Sequence, residues 1–171
     1  MRMELIHPML VHFPLALLFV GVCLKTLSFP LRASRSYRYL RVTSWILLAL
    51  GVCFAWLAIL AGETAAAVVQ TTLREPTILQ DHSLVAYTTA YLFTIALLLD
   101  WVKTWGIQRF FSPRFATALT VVDSFIFLAA FIILIITAFL GGSLVYDQGA
   151  AVEKSAPSSE HAPQGTPQKK P

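Results

Sequence analysis

Four long apolar stretches constrain the fold of this chain more than any other feature. Each is close to the length that a helix needs to cross the hydrocarbon core of a bilayer, which is roughly 20 residues. The stretches run from about Leu5 to Phe29, Val42 to Ala61, Ser83 to Leu99 and Ala116 to Leu140. The predicted fold class is therefore all-α, an integral membrane protein built as a four-helix transmembrane bundle.

The composition excludes several classes of protein. Only 13% of the 171 residues are charged, whereas soluble domains carry about twice that fraction. The two cysteines, Cys23 and Cys53, lie inside apolar runs without CxxC or CxxCH spacing, which excludes a zinc ribbon, a covalently attached haem and a disulfide-stapled fold. GxSxG, HExxH, P-loop and GxGxxG motifs are also missing from the sequence, which favours an electron-transfer or anchoring subunit over a catalyst.

The chain divides into two parts. Residues 1–149 form the predicted transmembrane domain, and residues 150–171 form a tail rich in Pro, Ser, Ala and Gln. The tail has too little apolar surface to offset the loss of conformational entropy on ordering. We therefore expect it to be disordered.

The distribution of positive charge predicts the orientation of the helices. Eight lysines and arginines flank the first and third connections, against three at the other ends of the helices. Because cytoplasmic loops carry the excess of such residues, these connections are expected in the cytoplasm and both termini outside. This topology accounts for the net charge of +4, so no nucleic-acid partner is expected. The eight residues are Lys25, Arg32, Arg35, Arg38, Arg41, Lys103, Arg109 and Arg114.

Ionisable side chains at membrane depth are candidates for function because burying them is unfavourable. Five of them gather at the predicted outer ends of the helices, namely His7, His12, Glu63, His82 and Asp147. Two more, Asp100 and Asp123, lie nearer the inner side. There Lys25 or Lys103 can neutralise them, so we predict a structural role for both.

Helical spacing predicts which faces meet inside the bundle. In the first span the stripe is His12, Ala16, Phe19 and Cys23; in the third it is His82, Ala86, Thr89, Phe93, Ala96 and Asp100. The second offers Gly51, Ala55, Ala58 and Gly62, and the fourth Asp123, Phe127, Ala130, Thr137 and Gly141. Small residues in these stripes let helices approach closely or leave room for a flat ligand. The first and third spans share a histidine followed by a small residue one turn deeper, but no internal sequence repeat is evident.

Two histidines on different helices of a four-helix bundle can hold haem b between neutral imidazoles. We expect His12 and His82 to be the axial ligands, with Phe19 and Phe93 packed on the porphyrin. Three acidic or phenolic side chains are expected nearby, where they orient a ring N–H or meet a propionate: Glu63, Asp81 and Tyr146.

His7 is the alternative to His12 as a ligand. Five residues separate the two, so they point about 140° apart on a helix and cannot both face the bundle axis. His7 lies as far from Lys25 as His82 lies from Asp100, about 27 Å at 1.5 Å per residue. If Lys25 and Asp100 are level, His7 matches His82; if the first span runs to its predicted end, His12 does. The composition of the stripe favours His12.

Other interpretations of these histidines stay open. A histidine beside a proline can satisfy main-chain carbonyls that the proline leaves without a donor. His7, His12, Glu63 and His82 are also suitable ligands for zinc or iron, although their spacing selects no particular metal. A metal or proton transporter is less favoured, because the helix centres carry few ionisable groups.

Three motifs resemble a bacterial membrane-protein family named domain of unknown function 2231. They are IHPMLVHFPLALL, the DH of QDHSLVAY, and GGSLVYDQGAAV, and the resemblance runs from about Leu5 to Val152. By position it marks His7, His12, Pro14, His82, Gly141, Gly142, Tyr146 and Gly149. The chain departs from the family pattern at Ser143, where an acidic residue is common, and at Gln148, where a histidine is frequent.

The resemblance implies a place in the bacterial inner membrane and, because relatives are sometimes joined to c-type cytochrome domains, a redox setting outside it. The leading functional hypothesis is a b-type cytochrome-like electron carrier with one haem near the outer face. Its expected partners are a membrane quinol and a periplasmic c-type cytochrome. The alternative is a cofactor-free subunit or scaffold for a periplasmic or redox partner.

Overall fold

The structure is a computed structural model that describes residues 6–71, 73, 75–105 and 113–150. Its helices are α1 (Ile6–Leu10), α2 (His12–Ser28), α3 (Ser36–Val69), α4 (Pro76–Trp105) and α5 (Pro113–Tyr146). No strand occurs within the described ranges, which confirms the all-α fold. The predicted tail falls outside those ranges from residue 151 onward.

The first span consists of α1 and α2, which meet at Val11. The Val11 N–H donates to the His7 carbonyl at 3.1 Å, and the Leu15 N–H donates to the Val11 carbonyl at 3.3 Å. Pro14 has no N–H for the carbonyl one turn before it, so regular helical bonding is interrupted here. Because the flanking bonds persist, the two helices follow one path through the membrane.

Among the described residues, four helical segments are long and apolar enough to cross a membrane, which confirms the four predicted spans. They cover Ile6–Ser28, Ser36–Val69, Pro76–Thr104 and Arg114–Tyr146. The last three extend well beyond the apolar stretches that predict them. The apolar stretches were bounded by hydropathy, whereas helical main-chain bonding continues into the more polar residues that flank them.

The four spans pack as two antiparallel hairpins. α2 packs mainly against α3, and α4 mainly against α5, with smaller interfaces between the hairpins. Glycines bring α2 and α3 close together. A Cβ at Gly21 would lie 2.8 Å from Leu48 Cγ, and one at Gly51 would lie 2.7 Å from Leu18 Cδ2. Packing through small residues is the usual means by which membrane helices associate, since lipid is as apolar as the helix surface.

The two hairpins bury equivalent positions. An offset of 75 residues relates α2 to α4, and an offset of 79 relates α3 to α5. Both residues are buried in eight of the related pairs: Leu18 with Phe93, Gly21 with Ala96, Lys25 with Asp100, Ser44 with Asp123, Leu48 with Phe127, Gly51 with Ala130, Ala55 with Leu134 and Ala65 with Leu144. The molecule therefore contains an internal structural repeat that conserves burial rather than residue identity.

The shared core lies in the middle of the bundle, where Leu18 and Leu48 of the first hairpin meet Phe93 and Phe127 of the second. The outer surface of the spans remains apolar, as at the exposed Phe139. Such a surface around helices of spanning length is suited to lipid chains.

Candidate functional site

His7 lies in α1 and packs against the main chain of α3. Its Nδ1 donates a hydrogen bond to the carbonyl of Ala58 at 2.7 Å. A carbonyl only accepts, so in the neutral ring Nδ1 carries the proton and Nε2 keeps its lone pair. A Cβ at Gly62 would lie 2.9 Å from His7 Cε1, so glycine provides the space that this ring occupies.

His82 occupies the matching place in the second hairpin. A Cβ at Gly141 of α5 would lie 3.1 Å from His82 Cε1. Thr137 lies one helical turn before Gly141, as Ala58 lies one turn before the glycine beneath the other histidine. Its Nδ1 is buried and has no hydrogen-bond partner among the described residues.

The two histidines are equivalent positions of the internal repeat, separated by the same 75 residues that relate α2 to α4. Both are half-buried. Each hairpin thus contributes one imidazole to the same end of the bundle. We call the end formed by His7, Gly62, His82 and Gly141 the histidine end.

The predicted inward stripe of the first span is wrong. His12, Phe19 and Cys23 are exposed on the outside of the bundle, as is Ala16. The inward face of α2 carries instead Pro14, Leu18, Gly21, Lys25 and Ser28. In the other three spans the predicted inward stripes are confirmed, because all their residues are buried or half-buried.

The remaining predicted site residues are dispersed. Phe93 is fully buried in the central core, and Phe19 packs against Phe131 with ring centroids 5.4 Å apart. Glu63 is exposed and accepts a hydrogen bond from the Tyr87 hydroxyl. Asp81 is exposed as well, and Tyr146 is 89% exposed just beyond the histidine end. In the described part of the chain, the site that emerges is the histidine pair with its two glycines.

One spacing in the sequence identifies His7 as the match for His82. Lys25 Nζ lies 3.1 Å from Asp100 Oδ1, so these two residues are level. His7 precedes Lys25 by 18 residues, as His82 precedes Asp100. Eighteen residues are five helical turns, which keep both ends of the interval on one face, about 27 Å apart. That distance approaches the hydrocarbon thickness of a bilayer, about 30 Å.

The opposite end of the bundle holds a buried ion cluster. Asp123 is 1% exposed and lies 2.5 Å from Lys103 Nζ and 3.3 Å from Lys25 Nζ. Asp100 pairs with the same two lysines, at 3.1 Å and 3.2 Å, and with Arg41 at 3.5 Å. The prediction that lysines neutralise these aspartates is confirmed. We call the five residues the charged cluster and this end the charged end.

Four apolar helices with histidines gathered at one end and a buried ion cluster at the other define a multi-spanning α-helical membrane protein. The chain belongs to the family described as predicted membrane protein (DUF2231), whose model matches residues 4–154. This confirms the resemblance carried by the three sequence motifs. No curated protein and no solved structure matches the chain.

Proposed function

We propose that the protein is a b-type cytochrome-like electron carrier that binds one haem at its histidine end. The observation that carries the proposal is the placement of His7 and His82 at equivalent positions of the two hairpins, at the same end of the bundle. A haem iron takes up to two ligands from the protein, and His7 and His82 would supply one imidazole each. His7 replaces His12 as the proposed ligand because His12 is exposed.

The number of ligands favours a haem iron over a bare metal ion. A porphyrin supplies four nitrogens and leaves two positions for the protein, whereas a structural zinc site takes four side chains. Within the described residues, no group of three or more His, Cys, Asp or Glu side chains could hold a metal ion. Two imidazoles therefore fit a haem iron better than free zinc.

The hydrogen bond of His7 and the unpartnered nitrogen of His82 support ligation. The bond from His7 Nδ1 to the Ala58 carbonyl fixes the tautomer and leaves Nε2 free, which is the usual arrangement of a metal-binding histidine. A buried polar atom without a partner is rare in proteins. In the described part of the chain, His82 Nδ1 is such an atom, and ligation of the iron through this nitrogen would give it a partner.

A bound haem would supply a one-electron couple near one membrane surface. The residues of this chain would hold the iron and set its depth, with both histidines about 27 Å from the charged cluster. We propose that a membrane quinol donates electrons and that a periplasmic protein, such as a c-type cytochrome, accepts them. The excess of lysine and arginine at the charged end favours the cytoplasm for that end, which leaves the histidine end on the outer face of a bacterial inner membrane.

The first test is a dithionite-reduced minus air-oxidised absorption spectrum of the full chain, purified in detergent from cells supplied with haem. A pyridine haemochrome assay gives the stoichiometry. We expect sharp alpha and Soret bands and about one haem b per chain. A featureless spectrum from folded protein would refute the proposal.

Histidine variants then assign the ligands. His7→Ala and His82→Ala are each expected to lose the haem, because each removes one axial nitrogen. His12→Ala is the matched control, since it removes an exposed imidazole five residues from His7, and it is expected to keep the haem. Retention of the full spectrum in His7→Ala, with loss in His12→Ala, would contradict the assignment.

A cofactor-free scaffold for a periplasmic or redox partner is the second candidate. The close fit of the two imidazoles against Gly62 and Gly141 favours it, because this packing gives both histidines a structural purpose without a ligand. In that case His7→Ala and His82→Ala would lower the unfolding free energy without any spectral change. Full-chain protein without haem bands that still recovers a redox partner from solubilised membranes would support this candidate.

A further inference from the structure

We infer that the cavity at the charged end is a binding site for a phosphate group. Its volume is about 540 Å³, within the range of small-molecule sites. The site lies at the opposite end of the bundle from the histidine pair. Its charged lining consists of Lys25, Arg32, Arg38, Arg41 and Lys103 with Asp100 and Asp123.

The charge of the lining selects an anion. Five cationic side chains face two carboxylates, which leaves an excess of three positive charges. The carboxylates are already paired at the floor of the cavity, where Lys25, Asp100 and Asp123 are at most 5% exposed. The floor is therefore a fixed, nearly neutral base, and the unbalanced charge belongs to the arginines above it.

Two of the three arginines that line the cavity are available to a ligand. Arg32 and Arg38 have no carboxylate within ion-pairing distance among the described residues. The Arg32 guanidinium lies 4.9 Å from the centroid of the Phe29 ring, which holds it beside the cavity. Arg41 is only loosely paired, at 3.5 Å from Asp100.

Several guanidinium groups around one cavity favour phosphate over a monovalent carboxylate. A guanidinium presents paired N–H donors that match two phosphate oxygens, and such charge-assisted bonds are stronger than neutral ones. The hydroxyl-bearing side chain of Tyr37 also lines the cavity and can donate to a third oxygen. Two sources present this chemistry at a membrane surface, namely an anionic lipid headgroup and a soluble phosphate.

The test measures binding of two probes to the full chain in phosphatidylcholine nanodiscs. Phosphatidylglycerol added to the nanodiscs is followed by native mass spectrometry, and inorganic phosphate is followed by calorimetry at constant ionic strength. Retention of phosphatidylglycerol alone identifies a lipid headgroup as the ligand. Binding of inorganic phosphate identifies a soluble source. Either result supports the site if the measured binding depends on Arg32 and Arg38.

The dependence is measured with a double variant and a matched control. Arg32→Gln/Arg38→Gln removes the two rim charges without touching the charged cluster, and we expect affinity for the bound probe to fall at least about tenfold. Arg35→Gln removes a charge from the same connection at an exposed residue outside the lining, and a change below about twofold is expected. Failure of both probes to bind, or an equal loss in Arg35→Gln, would overturn the inference. Neither result depends on haem.

Discussion

Replacing Asp123 with asparagine tests whether the charged cluster stabilises the bundle. The side chains have nearly the same volume, so the substitution removes charge and little packing. Three cations would then share one carboxylate, although Lys25 and Lys103 would each keep Asp100, at 3.1 Å and 3.2 Å. Removing one partner of a buried ion pair usually costs about 3–5 kcal/mol. Because both lysines keep a partner, we expect a loss near the lower limit, about 3 kcal/mol.

The measurement is the free energy of unfolding of the detergent-solubilised full chain, obtained by titration with a denaturing detergent and followed by circular dichroism. Lys25→Met combined with Asp123→Asn removes one cation together with one anion. We expect this double variant to be at least about 1 kcal/mol more stable than Asp123→Asn alone, since residues in one ion network are energetically coupled. Lys25→Met alone completes the cycle.

Ser124→Ala is the control, one residue along α5. The Ser124 hydroxyl donates only to the Thr120 carbonyl of its own helix, so its removal is expected to change stability by less than about 0.5 kcal/mol. Additive effects of the two cluster substitutions would refute the reasoning. So would a loss in Asp123→Asn no larger than that of Ser124→Ala.

Two further predictions concern packing and exposure. Gly141→Ala is expected to be about 1–3 kcal/mol less stable than the control Gly142→Ala. The methyl group at position 141 would meet the His82 ring, whereas a Cβ at Gly142 meets nothing within 4 Å. Equal unfolding curves for the two variants would contradict this prediction. Nitroxide labels on Cys23 and Cys53, which are exposed on the sides of the spans, should collide with oxygen more often than with a water-soluble nickel complex in vesicles. Power-saturation electron paramagnetic resonance measures these collisions, and the opposite order at both sites would show that they face water.

The sequence predicts the inward faces of three spans correctly, because buried charge marks two of them and small residues mark the third. An aspartate facing lipid is strongly unfavourable, so Asp100 and Asp123 fix the rotation of α4 and α5. Small residues do the same for α3, where Gly51 and Ala58 are buried. The same rule applied to Lys25 would have given the correct face of the first span.

The rotation of the first span was mispredicted because its outward face resembles an inward one. Phe19 and Cys23 are apolar, and Ala16 is small, yet all three are exposed. In a soluble protein such a stripe would be buried, but lipid tails are as apolar as a protein core. Hydrophobic periodicity therefore does not separate the two faces of a membrane helix.

The sequence alone determined the four spans, the family, the predicted division of charge between the two ends and the candidate histidines. Each of these depends on local composition or on a motif. The four spans form without any tertiary contact, because an apolar segment in lipid must satisfy its main-chain groups as a helix. Only the tertiary structure decided that His7, rather than His12, is level with His82, and that the hairpins repeat. That choice depends on the contact between Lys25 and Asp100, which belong to helices far apart in the chain and which show where the first and third spans stand along the bundle axis. The periodicity of one helix does not show how far along this axis it stands relative to another helix.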